Sequence, residues 1–218
     1  FHKLDRFSED LDFSSIKEID IDMLVNNVIT DFRKFGVKAY QHKKRGLDNS
    51  VLITIGAEGP LFTGNPQSHA SIGIDINLKS QVFLEPETLS FSPIYQDIPA
   101  FNSFCMKQEE IFSEKIRAIM ARNRSKDMFD LNFLMQKGIY ADKGLISKKM
   151  EYYNNDFDIA RIIRKLKSLK GYWKKELSGF TSSLPDFQEV LNYTTNNLKR
   201  MYGDKHQDAR KEEDKEKK

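Results

Sequence analysis

Apolar residues recur along this chain with two different periods, and the change from one to the other divides it. Residues 5–13 alternate as a short strand would. Ile21, Leu24, Val25, Val28, Ile29, Phe32 and Phe35 then fall at i, i+3, i+4 and i+7, and Gly36 follows where a helix commonly stops. Val37–Lys43 and Ser50–Ile55 read as the two arms of a hairpin around Gly46-Leu47-Asp48-Asn49. The stretch Glu58–Gln67, with its Gly and Pro residues, reads as a loop. In Ser71–Lys79 the alternation is clean, with Ile72, Ile74, Ile76 and Leu78 on one side and Gly73, Asp75, Asn77 and Lys79 on the other.

Pro86, Pro93 and Pro99 punctuate the next stretch, and beyond it the period is helical throughout. Glu109–Ala121, Lys126–Lys137, Phe157–Lys170 and Pro185–Tyr202 each carry an apolar stripe, with Gly171 and Gly203 placed as stops. Residues 204–218 hold six acids and six bases without periodicity and read as a disordered tail. The expectation is an α+β chain: residues 1–106 form an α/β core, residues 107–203 a helical bundle, and no repeat links them.

Composition narrows the chemistry. Sixteen Phe and 39% apolar residues allow a packed core over most of the 218 residues. Cys105 is the sole cysteine and the four histidines (His2, His42, His69 and His206) lack ligand spacing, so neither a disulfide within the chain nor a Cys/His metal site is expected. No apolar run approaches the roughly 20 residues of a membrane span, and no signal-peptide pattern opens the chain. A cytoplasmic protein is the expectation. Phe1 is not an initiator residue, and residues upstream of it are expected. Net charge is only +3, but between Ala160 and Tyr202 nine Lys or Arg face three acids. That bias suits a polyanion such as RNA, and equally a solvated helix surface.

The acids hold the sharper signal. Asp20-Ile-Asp22 and Asp156-Phe-Asp158 immediately precede helices, where carboxylates satisfy free N–H groups and complement the helix dipole. Asp10-Leu-Asp12 lies instead in an extended stretch whose period puts both carboxylates on one face. Like charges side by side on a half-buried strand call for a cation, and Mg²⁺ (or Mn²⁺) shared with phosphate oxygens fits them. A solvated edge strand is the other reading of that pair. Asp75 occupies a second strand, facing away from an apolar face, with Gly73 beside it to admit a ligand. Three carboxylates on adjacent strands suit metal-assisted in-line displacement at phosphorus. Farther on, Lys115 interrupts the stripe of Ile111 and Ile119, so it snorkels outward or points at a buried anion. Asp127 and Asp130 share a stripe with Leu131 and Leu134, and Arg122, Arg124 and Lys126 surround the preceding turn.

Four blocks together resemble the AbiEii/AbiGii family of nucleotidyltransferase toxins. They are Arg6-Phe-Ser-Glu-Asp-Leu-Asp-Phe13, Ser71-Ile-Gly-Ile-Asp-Ile-Asn77, Phe112-Ser-Glu-Lys-Ile-Arg-Ala118 and Arg124-Ser-Lys-Asp-Met-Phe-Asp-Leu131. The last two are similar to the family's AEK and R-x-K-D-x-x-D signatures, and the likeness covers roughly residues 5–135. It implies a polymerase-beta-like nucleotidyltransferase core with a mixed or antiparallel sheet, followed by a C-terminal helical bundle. It implies catalytic roles for Asp10, Asp12, Asp75, Lys115 and Asp130, with Asp10, Asp12 and Asp75 as metal ligands. Nucleotide contacts would fall to Ser8, Lys115, Arg124, Lys126 and Asp127. The implied partners are an NTP, an acceptor such as tRNA or a protein, and a separate antitoxin of a bacterial toxin–antitoxin or abortive-infection system. The family's Gly-rich segment before the D-x-D strand is absent, and Ser113 replaces its small Ala.

Two functions follow from these readings. One is an Mg²⁺-dependent nucleotidyltransferase whose strand acids, Lys115 and Asp130 line one cleft. The other is a non-catalytic module that keeps the fold and binds nucleic acid or protein through its basic helices.

Overall fold

The computed structural model describes residues 4–8, 10–79, 81–95 and 98–203. Residues 204–218, read from sequence as a tail, lie outside them. Contacts divide the chain into two units: Ser8–Val82, and Phe1–Phe7 together with Phe83–Lys218.

The first unit is a four-stranded mixed sheet in the order β1-β4-β3-β2, built from β1 (Asp10–Ser14), β2 (Ala39–Gly46), β3 (Ser50–Ala57) and β4 (Ala70–Asn77). β1 runs parallel to β4, and the other neighbours are antiparallel. The hairpin closes where Leu47 N–H donates to Ser50 O at 2.8 Å. One helix, α1 (Ile21–Lys34), belongs to this unit. It starts as the sequence expects: Asp20 accepts from Met23 N–H at 2.9 Å, and Asp22 lies in the first turn. It stops at Gly36, whose φ of +74° favours a residue without a Cβ. Val25, Val28, Ile29 and Phe32 of α1 pack with Val51, Ile53, Ile55 and Ile76. Ile53 and Ile55 are fully buried, a contribution of roughly 1.5–3 kcal/mol each. That packing fixes register, because a one-residue slip in β3 would turn its isoleucines to the opposite face. The apolar side of β1 is less covered than its alternation suggests, with Leu11 46% and Phe13 51% exposed.

The second unit is helical. It contains α2 (Gln108–Ala121), α3 (Ser125–Gln136), α4 (Lys143–Tyr152), α5 (Ile159–Ser168), α6 (Lys170–Leu177) and α7 (Phe187–Tyr202), preceded by a two-stranded ribbon of β5 (Glu87–Phe91) and β6 (Phe101–Cys105). Phe112, Ile116, Met128, Leu131, Ile146, Met150, Ile162, Leu166, Leu177 and Leu198 form a continuous buried core. Trp173 N–H donates to Pro185 O at 3.0 Å and Tyr202 O–H to Ala141 O at 2.7 Å, so both rings bury their polar ends with a partner. Leu4, Phe83 and Leu84 pack against this core. The division by contacts therefore falls at 82 and 83, whereas the sequence pattern put the change at 106 and 107. Gly171 does not act as a stop: α5 ends at Ser168, and Gly171 lies in the first turn of α6. Leu166 and Trp173 on either side of it hold both helices on the core, and that packing outweighs glycine's poor helix propensity. Among the described residues no helix is long and apolar enough to cross a membrane.

Candidate active site

In the sheet unit, parallel pairing of β1 with β4 sets Asp12 opposite Asp75 and Asp10 opposite Gly73. Directly paired residues share a face, so the three acids lie together with Asn77, Thr54 and Leu52, opposite the face that α1 covers. Asp10 and Asp12 are exposed and Asp75 is half-buried. The expected role of Gly73 changes. A Cβ there would sit 2.0 Å from Asp10 Oδ1, so the missing side chain makes room for the protein's own carboxylate. Ser8 Oγ donates to Asp10 O at 3.1 Å, just before the strand begins.

Among the described residues no group of three or more His, Cys, Asp or Glu side chains is gathered to enclose a metal. The carboxylates still suit Mg²⁺ or Mn²⁺. Mg²⁺ commonly takes one or two carboxylates and completes its shell with substrate phosphate and water. Asp12 and Asp75, side by side with Asp10 next along the strand, offer that donor set.

The helical unit holds a second polar cluster. Lys115, expected to snorkel or to meet a buried anion, points at two: its Nζ lies 2.6 Å from Asp130 Oδ2 and 3.5 Å from Asp127 Oδ1. Asp130 is 5% exposed, as its place on the apolar stripe requires. Arg6 grips its other side with a fork, Nε to Oδ1 at 2.6 Å and a terminal nitrogen to Oδ2 at 2.8 Å. Burial pushes the Asp130 carboxyl up. The Arg6 hydrogen bond and the charges of Lys115 and Arg6 outweigh it and hold the group below the usual aspartate range. Asp127 does more than complement the helix dipole, since Arg122 binds it at 2.8 and 3.0 Å. Arg124, the residue preceding α3, is exposed, and Lys126 lies over the Phe180 ring, 3.4 Å from its centroid.

Elsewhere in the helical unit, Lys149 and Glu110 are both fully buried. Lys149 Nζ contacts Glu110 and lies 3.0 Å from Glu114 Oε1, while Arg117 Nε meets Glu114 Oε2 at 2.6 Å. Glu110 Oε2 accepts from the N–H groups of Phe83 and Leu84 at 3.2 and 3.1 Å. Burial raises the Glu114 carboxyl, but Arg117 and Lys149 together bring it below the ordinary glutamate value.

The predicted residues thus fall into two sets. Asp10, Asp12 and Asp75, with Ser8 ahead of them, belong to the sheet unit; Lys115, Asp127 and Asp130 are in contact within the helical unit, with Arg124 and Lys126 beside them in sequence. Arg6 had no expected role. Its partner lies 124 residues away, a separation that carries no period. The buried Lys149 was also missed. It stands four residues after Leu145 on an otherwise apolar stripe, the same interruption that drew notice to Lys115.

A family model described as nucleotidyl transferase AbiEii toxin, type IV TA system, matches residues 1–193. No curated protein matches the chain. Among solved structures it is similar to MenT4, a nucleotidyltransferase toxin from Mycobacterium tuberculosis, at 16% identity and a TM-score of 0.57, over 88% of this chain and 67% of that one. At that identity the likeness speaks for the fold.

Proposed function

Because the chain belongs to the AbiEii nucleotidyltransferase toxin family of type IV toxin–antitoxin systems, we propose that it moves a nucleoside monophosphate from an NTP to an RNA acceptor such as tRNA. The chain is a nucleotidyltransferase, and an antitoxin and a nucleotide are the partners its family implies. A protein hydroxyl is the other acceptor to compare. The observation that carries the chemistry is the in-register pair of Asp12 and Asp75, with Asp10 on the same face.

In this reading an acceptor hydroxyl oxygen attacks the α-phosphorus of the NTP. A new oxygen–phosphorus bond forms as the bond from that phosphorus to the bridging oxygen breaks, and pyrophosphate leaves. Asp10, Asp12 and Asp75 would hold a divalent ion, which would supply charge neutralisation for the triphosphate and acidity to the acceptor hydroxyl. Asp10 and Asp12 fix the polar face on which the phosphates lie, and Asp75 stands beside Asp12 to accept the hydroxyl proton. Within the helical unit, Lys115 carries the ammonium to which the family likeness assigns a phosphate contact. Asp130 and Asp127 hold that ammonium in place, which makes Asp130 a positioning residue shared with Arg6. The same likeness assigns nucleotide contacts to Ser8 in the sheet unit and, separately, to Arg124 and Lys126 in the helical unit.

The test is incorporation of label from each NTP, with Mg²⁺ and total tRNA, by the wild type and by Asp12→Ala. Incorporation should fall by on the order of 10²-fold or more in the variant. Equal incorporation by both proteins sinks the assignment of the strand acids, and label on protein alone moves the acceptor away from RNA.

A further inference from the structure

The helix α5 carries two stripes. Ile162 and Leu166 are buried in the helical core. Arg161, Arg164, Lys165 and Ser168 form the other, at the i, i+3, i+4 and i+7 spacing that puts residues on one face. With Asn123 from the α2–α3 connection they line an open pocket of about 420 Å³. Arg161 and Arg164 are exposed and Lys165 is half-buried. The Lys165 amine donates to Asn123 Oδ1 at 3.2 Å, and Ser168 Oγ donates to Lys165 O at 2.7 Å.

No acid of the chain neutralises this face among the described residues. Asp158, the nearest in sequence, caps the helix by accepting from the backbone N–H of Arg161 at 3.1 Å, not from its guanidinium. Neither the Arg161 nor the Arg164 guanidinium is in an ion pair with a described residue. Three like charges at i, i+3 and i+4 repel one another, so an anionic ligand relieves the strain between them. The stripe from Arg161 to Ser168 extends over about 10 Å of helix, a spread that suits successive phosphates of a strand. Guanidinium groups bind phosphate through a fork of N–H donors, and none of the lining side chains is apolar, whereas a protein partner needs apolar anchors.

We propose that the Arg161, Arg164 and Lys165 face of α5, with Asn123, docks the phosphate backbone of an RNA strand, an inference that rests on the RNA-acceptor reading above. The contact is with the backbone and so is independent of base sequence.

The experiment measures binding of bulk tRNA to the full chain across a salt series. It compares the wild type, Arg161→Gln with Arg164→Gln, and Lys174→Gln with Lys175→Gln, an equal charge loss at exposed positions of α6. Gln keeps the helix propensity, and circular dichroism confirms that the helices persist. The arginine variant should bind at least tenfold more weakly, with a salt slope lower by about two, while the lysine variant changes less than threefold. Equal losses in the two variants, no loss in either, or a wild type that does not bind tRNA overturns the docking face. A parallel titration with ATP separates the sources of phosphate: a loss of ATP binding with tRNA binding intact assigns the pocket to the nucleotide and overturns the proposal. The acceptor reading fails separately. A wild type that binds tRNA through this face and transfers nothing to it refutes that reading alone, and transfer at an unchanged KM by the arginine variant refutes the face alone.

Discussion

Replacing Lys149 with Met removes a fully buried ammonium from the helical core and leaves its shape nearly unchanged. Lys149 and Glu110 are each 0% exposed, and Glu114 is paired with both Lys149 and Arg117. In Lys149→Met the Glu110 carboxylate retains the N–H groups of Phe83 and Leu84 but has lost its counter-charge. Leaving a buried charge unpaired in this way costs about 3–5 kcal/mol. The urea dependence of unfolding is about 2 kcal/mol per molar for a chain of this size, so the midpoint should fall by about 2 M. Trp173 is the only tryptophan and belongs to the helical core, so its fluorescence follows this unit by itself. Adding Glu110→Gln to Lys149→Met removes the stranded charge and keeps an oxygen for the two N–H groups. The double variant should regain more than half of the loss. A single variant within 1 kcal/mol of wild type, or a double variant worse than the single, would refute the claim that this pair is held by mutual neutralisation.

Gly73→Ala should leave the sheet intact, because the Cβ meets only the movable end of Asp10, and yet slow nucleotide transfer by on the order of 10²-fold as that carboxylate is displaced. A steady-state assay beside a thermal melt separates the two effects, and unchanged transfer would show that the Asp10 position is immaterial. Asp130→Asn should lower helical-unit stability by about 2 kcal/mol at neutral pH, since Arg6 and Lys115 lose a charged acceptor. The folded state holds Asp130 and Glu114 below their ordinary values, so their contribution is complete above about pH 4–5 and is lost as pH falls through the depressed values. Trp173 fluorescence should accordingly show a smaller loss between pH 7 and pH 3 in Asp130→Asn than in wild type, and parallel losses would contradict the linkage.

The parts of this fold that depend on local pattern were legible in the sequence. α1 begins at its Asp20 cap and ends at Gly36, the β2–β3 hairpin turns at residues 46–50, and β4 alternates as written. The α+β class followed from those periods, and the family from four short blocks. What escaped was set by tertiary context. β5 lies between Pro86 and Pro93, β6 follows Pro99, and the two pair with each other, with Phe101 and Phe104 exposed, so no clear alternation of buried and solvent-facing residues marks them. Gly171 read as a stop because propensity was weighed without the core that Trp173 enters. The candidate site divides in the same way. The shared face of Asp10 and Asp12 is a two-residue period, and the inward turn of Asp130 is a helical one. Arg6 on Asp130, and the occupancy of the space over Gly73 by Asp10, are meetings between distant parts of the chain that no spacing encodes.

The path of the chain between the two units has a practical consequence for dissecting the protein. It crosses from the helical unit to the sheet at residues 7 and 8 and returns at 82 and 83, so the sheet is an insertion spliced into the helical unit. A single cut therefore cannot liberate an intact helical piece. A fragment starting at residue 107 forfeits Leu4, Phe83 and Leu84 from its core, the guanidinium that clamps Asp130 and the two amides that cradle Glu110. Excision of residues 8–82 with the loose ends rejoined by a flexible bridge keeps all of them, and is the surgery that tests whether the bundle binds RNA without the sheet.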